Sequence, residues 1–177
     1  MNLATERLSI RPFVEADAAF ILELLNDADW LRFIGDKQVS NLDDARRYLQ
    51  SGPLAMQERY GHSLGFVERS SDGAALGMCG LVRRDTLADI DLGFAFLPAS
   101  RGQGYAREAA SAVLAHGFAA LAVKRIVAIT DIDNHASARV LEAVGLGFER
   151  QLAATAMTKA LRLFAIDASV CSQRAPA

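Results

Sequence analysis

Apolar and polar residues alternate in short runs near 6–13, 62–69, 75–83, 88–97, 124–131, 147–156 and 160–168, and these runs predict seven β-strands. Helical spacing predicts helices near 15–27, 42–50, 53–60, 104–120 and 135–145. The fourth helix is the clearest. Ala109, Ala110, Val113, Leu114, Gly117, Phe118 and Leu121 recur on one face, and the small residues among them let it lie close to a sheet. Asn41 or Ser40 can cap the helix that follows it, with Asp43 and Asp44 well placed in its first turn. Ser71-Asp72-Gly73 marks a hairpin turn. Strands interleaved with helices make this an α/β chain with a mixed sheet.

At 177 residues and 51% hydrophobic, the chain suits one domain, expected over residues 1–170 with a short tail at 171–177. The net charge of −2, without a dense basic block, argues against a broad nucleic-acid surface. No apolar stretch reaches membrane-spanning length and the N-terminus lacks a signal-peptide core, so a cytoplasmic protein is expected. Cys79 and Cys171 form neither a metal spacing nor a disulfide framework. Cys79, inside a predicted strand, reads as a small buried hydrophobe, and no metal ligands are evident.

The chemistry concentrates after the fourth strand. The run from Ile90 to Leu97 leads through Arg101-Gly102-Gln103-Gly104-Tyr105-Ala106-Arg107 into the long helix. A strand, a Gly-rich turn and a helix N-terminus together bind phosphate, because unpaired amides point outward and the helix dipole adds roughly half a positive charge. No Gly-Lys-Ser or Gly-Lys-Thr is present, and Arg107 stands where the dinucleotide fingerprint needs its third glycine. Downstream, Asn134-His-Ala-Ser137 opens a second helix that stops at Gly145-Leu146-Gly147-Phe148.

Arg101-x-x-Gly104-x-Ala106 resembles the coenzyme A pyrophosphate loop of the GNAT-superfamily N-acetyltransferases. Asn134-x-x-Ser137-x-x-x-Leu141-Glu142 is similar to a second motif of that family, with one extra residue before Phe148. Glu6-Arg-Leu-Ser-Ile-Arg-Pro-Phe, Asp29-Trp30-Leu-Arg-Phe33-Ile34-Gly35 and Leu76-Gly-Met-Cys-Gly80-Leu81 resemble the RimJ/RimL-type branch, which includes ribosomal-protein N-terminal acetyltransferases. The resemblance implies the GNAT acyl-CoA N-acyltransferase fold: a mixed, mostly antiparallel seven-stranded sheet with one splayed parallel pair, here 91–97 and 125–131. It also implies acetyl-CoA as co-substrate and a primary amine as acceptor, with monomer or homodimer both open.

Carried over by motif, the amides of Gly102, Gln103, Gly104, Tyr105 and Ala106 would hold the diphosphate, with charge from Arg101 and Arg107. Backbone groups around Phe94, Ala95 and Phe96 would meet the pantetheine arm and the oxyanion. Asn134 would serve either that arm or the helix start; with Asp133 as the cap it could do the former freely. Ser137 resembles a serine proposed to protonate the departing thiolate, and equally suits a helix first turn. Asp91 is either a proton acceptor or an exposed strand carboxylate. Trp30 and Phe33 line the acceptor side in relatives, although packing is the expected role of Phe33 and Ile34. An α-amine, about a tenth neutral at pH 7, needs less help from a base than lysine does. The acceptor expected first is therefore a protein or peptide N-terminus. A small-molecule amine (antibiotic, polyamine or metabolite) comes second, and a non-catalytic CoA-binding sensor is the reading of another class.

Overall fold

A computed structural model describes residues 1–154 and 159–169. The chain opens with β1 (Leu3–Ala4) and β2 (Leu8–Pro12), followed by a one-turn 3-10 segment and α1 (Ala18–Leu25). Next come α2 (Ala28–Phe33), α3 (Leu42–Leu49), a wide turn containing Pro53, and α4 (Ala55–Tyr60). β3 (Leu64–Arg69), β4 (Ala75–Val82) and β5 (Ile90–Phe96) form a meander before α5 (Tyr105–Ala120) and β6 (Arg125–Asp131). α6 (His135–Ala143), β7 (Gly147–Leu152) and β8 (Leu161–Asp167) complete it.

All strands join one sheet in the order β1-β2-β3-β4-β5-β6-β8-β7. It has eight strands rather than the seven expected, because Leu3–Ala4 pairs back on Ile10 and Ser9, too short a segment to show alternation. The sheet is antiparallel apart from the β5–β6 pair. The expected helix over 15–27 forms as the 3-10 turn and α1, ending at Leu25, and a short helix that the pattern did not predict, α2, follows it. Asp27 takes an extended backbone there and its side chain caps α2 by accepting from the Trp30 N–H. Residues 155–158 of the predicted strand 147–156 and its following loop, and the tail with Cys171, lie outside the described residues.

Apolar cores cover both sheet faces. α5 and α6 close one with Val113, Leu114, Leu141 and Leu146 against Leu81, Ile126 and Phe164. α1 to α3 close the other with Ile21, Leu24, Trp30 and Leu49 against Phe66 and Met78. Gly117 sets the closeness of the first: a Cβ there would stand 2.7 Å from Leu81 Cδ1 and 2.9 Å from Ile126 Cδ1. Cys79 is fully buried, which pushes its thiol well above the ordinary range. The extra residue near Gly145 is absorbed locally. Gly145 turns left-handed (φ +100°), the Leu146 N–H returns to Leu141 O at 3.0 Å, and Leu146 is buried before β7 begins.

Candidate acetyl-transfer site

β5 and β6 are paired at only two positions, Ile90 with Ile126 and Asp91 with Val127, and then diverge. On its other side β5 stays in the β4 ladder, where the Leu97 N–H donates to Leu76 O at 2.9 Å. Antiparallel strands alternate bonded and non-bonded pairs, so 91, 93 and 95 bond β4 while the polar groups of Leu92, Phe94 and Phe96 face the opening. The Phe94 N–H therefore points into the fork. That of Ala95 belongs to its partner Met78, and the two do not share a role.

Asp91 sits at the apex. It is 1% exposed, its Oδ1 accepts the Ile129 N–H at 3.1 Å, and its Oδ2 accepts from Arg84 Nε at 2.6 Å. The expectation of an exposed strand carboxylate fails, because here one side chain spans two diverging strands and both its oxygens are engaged. Burial pushes the carboxyl above its ordinary range, with the Arg84 guanidinium and the Ile129 N–H pulling the other way.

Beyond β5 the chain turns through Pro98–Ser100 into the glycine loop. Gly102 and Gly104 both take left-handed backbone, φ +74° and +82°, which β-carbon sterics disfavour in other residues. A Cβ on Gly102 would meet open space. The Tyr105, Ala106 and Arg107 amides, in the first turn of a 16-residue helix, have no acceptor within it.

Two clamps hold this loop. Arg101 does not extend toward a ligand; its Nε donates to Phe96 O at 2.9 Å and its other nitrogens to Asp29 Oδ2 at 2.6 Å and to Asp27. Its guanidinium thus ties the loop to α2 instead of reaching out as the charge expected at a phosphate. On the other flank Arg7 donates to Gln103 O at 3.0 Å, lies 4.7 Å over the Tyr105 ring, and pairs with Glu108 at 2.6 Å. Gln103 itself turns its amide to Ala99 O at 2.7 Å. Arg107 and Arg139 meet in a cleft of about 350 Å³ beside Gly102, and neither is ion-paired among the described residues.

Burial pushes the Glu108 carboxyl up, but hydrogen bonds from Thr5 and Arg7 outweigh it and hold the group below its ordinary range. A depressed folded value means stabilisation that is present above the ordinary carboxylate range and lost as the pH falls. Glu108→Gln is therefore expected to cost about 1 kcal/mol at neutral pH, less as the medium is acidified. Urea melts at pH 7 and near pH 3 check this; an equal deficit at both would assign the effect to packing.

At α6, Asn134 is the N-cap. Its Oδ1 accepts the Ser137 N–H at 3.0 Å, so the expected substitution of Asp133 as cap does not occur. Asn134 Nδ2 stays available, and the Ser137 hydroxyl has no hydrogen bond to a described residue. Both side chains line a cavity of about 1070 Å³ that passes through the fork, with Phe94, Asp91 and Tyr48. Burial raises the Tyr48 phenol above its ordinary range. Trp30 and Phe33 line it too; Trp30 is 5% exposed, with Nε1 donating to Gly35 O at 3.1 Å, whereas Ile34, expected to pack, is 45% exposed. Among the described residues there is no metal-holding group, nor a helix long and apolar enough to cross a membrane.

Residues 7–147 match the family model described as an acetyltransferase (GNAT) domain. Two proteins of Bacillus subtilis (strain 168) are similar over most of their length. One is the uncharacterized protein YkkB, 31% identical over 156 residues, 85% of this chain and 88% of that protein. The other is the uncharacterized N-acetyltransferase YoaA, 30% identical over 152 residues, 84% and 83%. Among solved structures, a GNAT-family acetyltransferase from Bacillus anthracis superposes with a TM-score of 0.80 at 24% identity, covering 96% of this chain and 99% of that one. RimL, a ribosomal L7/L12 α-N-protein acetyltransferase in complex with coenzyme A, gives 0.80 at 18%, covering 94% and 98%. The fork, the glycine loop and these matches lead to one conclusion: the chain belongs to the GNAT family and is an N-acetyltransferase.

Proposed function

We propose that the protein transfers acetyl from acetyl-CoA directly to the α-amine of a protein or peptide N-terminus. The observation that carries this is the through-fork cavity, which joins the open edge of β5 to a wide acceptor lobe under α2 and α3. Acetyl-CoA supplies an activated thioester. The loop amides from Gly102 to Ala106 and the Arg107 guanidinium hold its diphosphate. Asn134 Nδ2, together with the edge groups of Leu92, Phe94 and Phe96, orients the pantetheine amides. The Phe94 N–H stabilises the developing oxyanion. Asp91, both oxygens engaged, fixes the fork, and water in the cavity takes the proton from the amine. The free Ser137 hydroxyl donates its proton to the departing thiolate and recovers one from cavity water, so the proton lost by the amine balances the one gained by the thiol.

The small-amine alternative finds least support for polyamines, since the carboxylates lining the cavity among the described residues, Asp91 and Asp131, are both already engaged in hydrogen bonds. Ser137→Ala is expected to lower kcat by roughly 10- to 100-fold, leaving KM for acetyl-CoA within about twofold. Steady-state kinetics with free-CoA detection read both. The reading as a whole is tested by incubating the protein with acetyl-CoA and a mixture of peptides and small amines, with mass spectrometry of products. Acetylated peptide N-termini support it. Acetylated small amines alone refute it, and tight CoA binding without product gives the sensor reading precedence.

A further inference from the structure

The chain carries a net charge of −2, yet the large cavity is lined by Arg32, Lys37, Arg84, Arg150 and Lys159 against only Asp91 and Asp131. Neither carboxylate is free. Asp91 is bound to Arg84 and Ile129, and Asp131 is buried, accepting the Asp133 N–H at 2.9 Å in the turn before α6. Two of the cations are matched, Arg84 by Asp91 and Arg150 by Glu149 at 3.6 Å.

The other three line the cavity without a carboxylate partner among the described residues, two of them meeting at the end of α2. Arg32, in the last turn of α2, stacks its guanidinium 4.7 Å over the Phe33 ring. Lys159 Nζ donates to Arg32 O at 3.0 Å, which brings a second cation to the same helix end. Lys37 lines the cavity from the segment that follows α2. The glycine loop does not line this cavity; Gly102 and Arg107 open on the separate cleft between α5 and α6. The rim charge is therefore not needed for the diphosphate, and it faces whatever enters opposite the thioester. Like charges gathered at the mouth of a low-dielectric cleft focus the field and select ligands of the other sign.

We propose that the acceptor is acidic: an N-terminal segment with aspartate or glutamate directly behind its α-amine, the carboxylates held by Arg32, Lys37 and Lys159. This rests on the N-terminal reading above and adds a charge rule to it. The same chemistry also fits a free acidic amino acid, and the test separates the two sources.

The experiment measures kcat/KM for serine-led peptides with acidic, neutral or basic residues at positions two to four. Free aspartate, free glutamate and spermidine are included, and each acceptor is run at low and high salt. Acidic peptides are expected to exceed neutral ones by roughly tenfold, with the advantage shrinking as salt screens the rim. The double variant Arg32→Glu/Lys37→Glu is expected to move the preference to basic peptides, with its melting temperature and KM for acetyl-CoA retained. A merely structural role for these side chains would not invert a preference. Equal rates across the three peptide series, or a preference that survives the charge reversal, overturn the charge rule and leave the N-terminal reading standing. Acetylation of free aspartate or glutamate without peptide product retains the rule and removes the N-terminal reading. Product from spermidine alone overturns both.

Discussion

Asp91→Ala is expected to destabilise the fold by about 2–4 kcal/mol, with acetyl transfer falling in parallel. The substitution strands the Ile129 N–H inside the fork, where an unpaired buried donor costs about 1–3 kcal/mol. It also deletes the side chain that spans β5 and β6 one residue beyond their first pair. Arg84, with 42% of its side chain exposed, can return to water and adds little. Asp91→Asn keeps an oxygen for the Ile129 N–H and should lose less. Its kinetics also separate the two roles open to this residue. A tie across the fork leaves the pH–rate profile in place, whereas a proton acceptor would lose roughly 100-fold or more in kcat and its acidic limb.

Arg84→Ala gives an independent check with a defined sign. Burial raises the folded value of Asp91 above its unfolded one. For such an acid the stabilisation is fully present below the ordinary carboxylate range and is lost as the pH rises through the folded value. Removing Arg84 removes a pull downward, so the folded value climbs further. The deficit of Arg84→Ala should accordingly be small in acid and grow toward neutral pH, as denaturant melts across that range would show. Tyr48, which also feels Arg84, is held above its ordinary range by burial and stays neutral across these conditions. A flat deficit would mean that Asp91 is not coupled to Arg84 in solution.

The glycine loop and Asn134-x-x-Ser137 were legible in the sequence because each is local: a strand end, a turn and a helix start lie within a few residues of one another. Their braces were not legible. Arg101 reaches carboxylates 72 and 74 positions away, and Arg7 finds Glu108 at a separation of 101. An arginine in a motif carries no mark of which acid it will meet. The same limit hid the role of Asp91, since a strand residue shows its face in sequence but not whether the next strand has diverged. Ile34 is exposed where packing was expected because it ends α2, a short helix that the pattern did not predict and that turns Trp30 inward instead. The basic rim escaped notice because its members come from α2, the loop after it and the segment before β8, never as a run.

Gly102 and Gly104 offer the sharpest separation of ligand binding from folding. Both have left-handed φ, so any side chain at either carries a backbone cost of about 1 kcal/mol. Their surroundings differ. A Cβ at Gly104 would stand 3.3 Å from an Arg7 nitrogen, pressing on the clamp that also holds Glu108. A Cβ at Gly102 meets no protein atom, so whatever it obstructs must come from outside the fold. Gly102→Val should therefore melt only slightly below the wild type, yet raise the Kd for CoA by roughly 10- to 100-fold, the equivalent of one charge-assisted phosphate contact. Gly104→Val should lose stability and affinity together. Calorimetry with CoA and with dephosphorylated pantetheine completes the argument. If the loop holds the diphosphate, Gly102→Val weakens CoA and spares pantetheine. An equal loss for both ligands would instead mean that the substitution has distorted the β5 edge rather than obstructed the diphosphate.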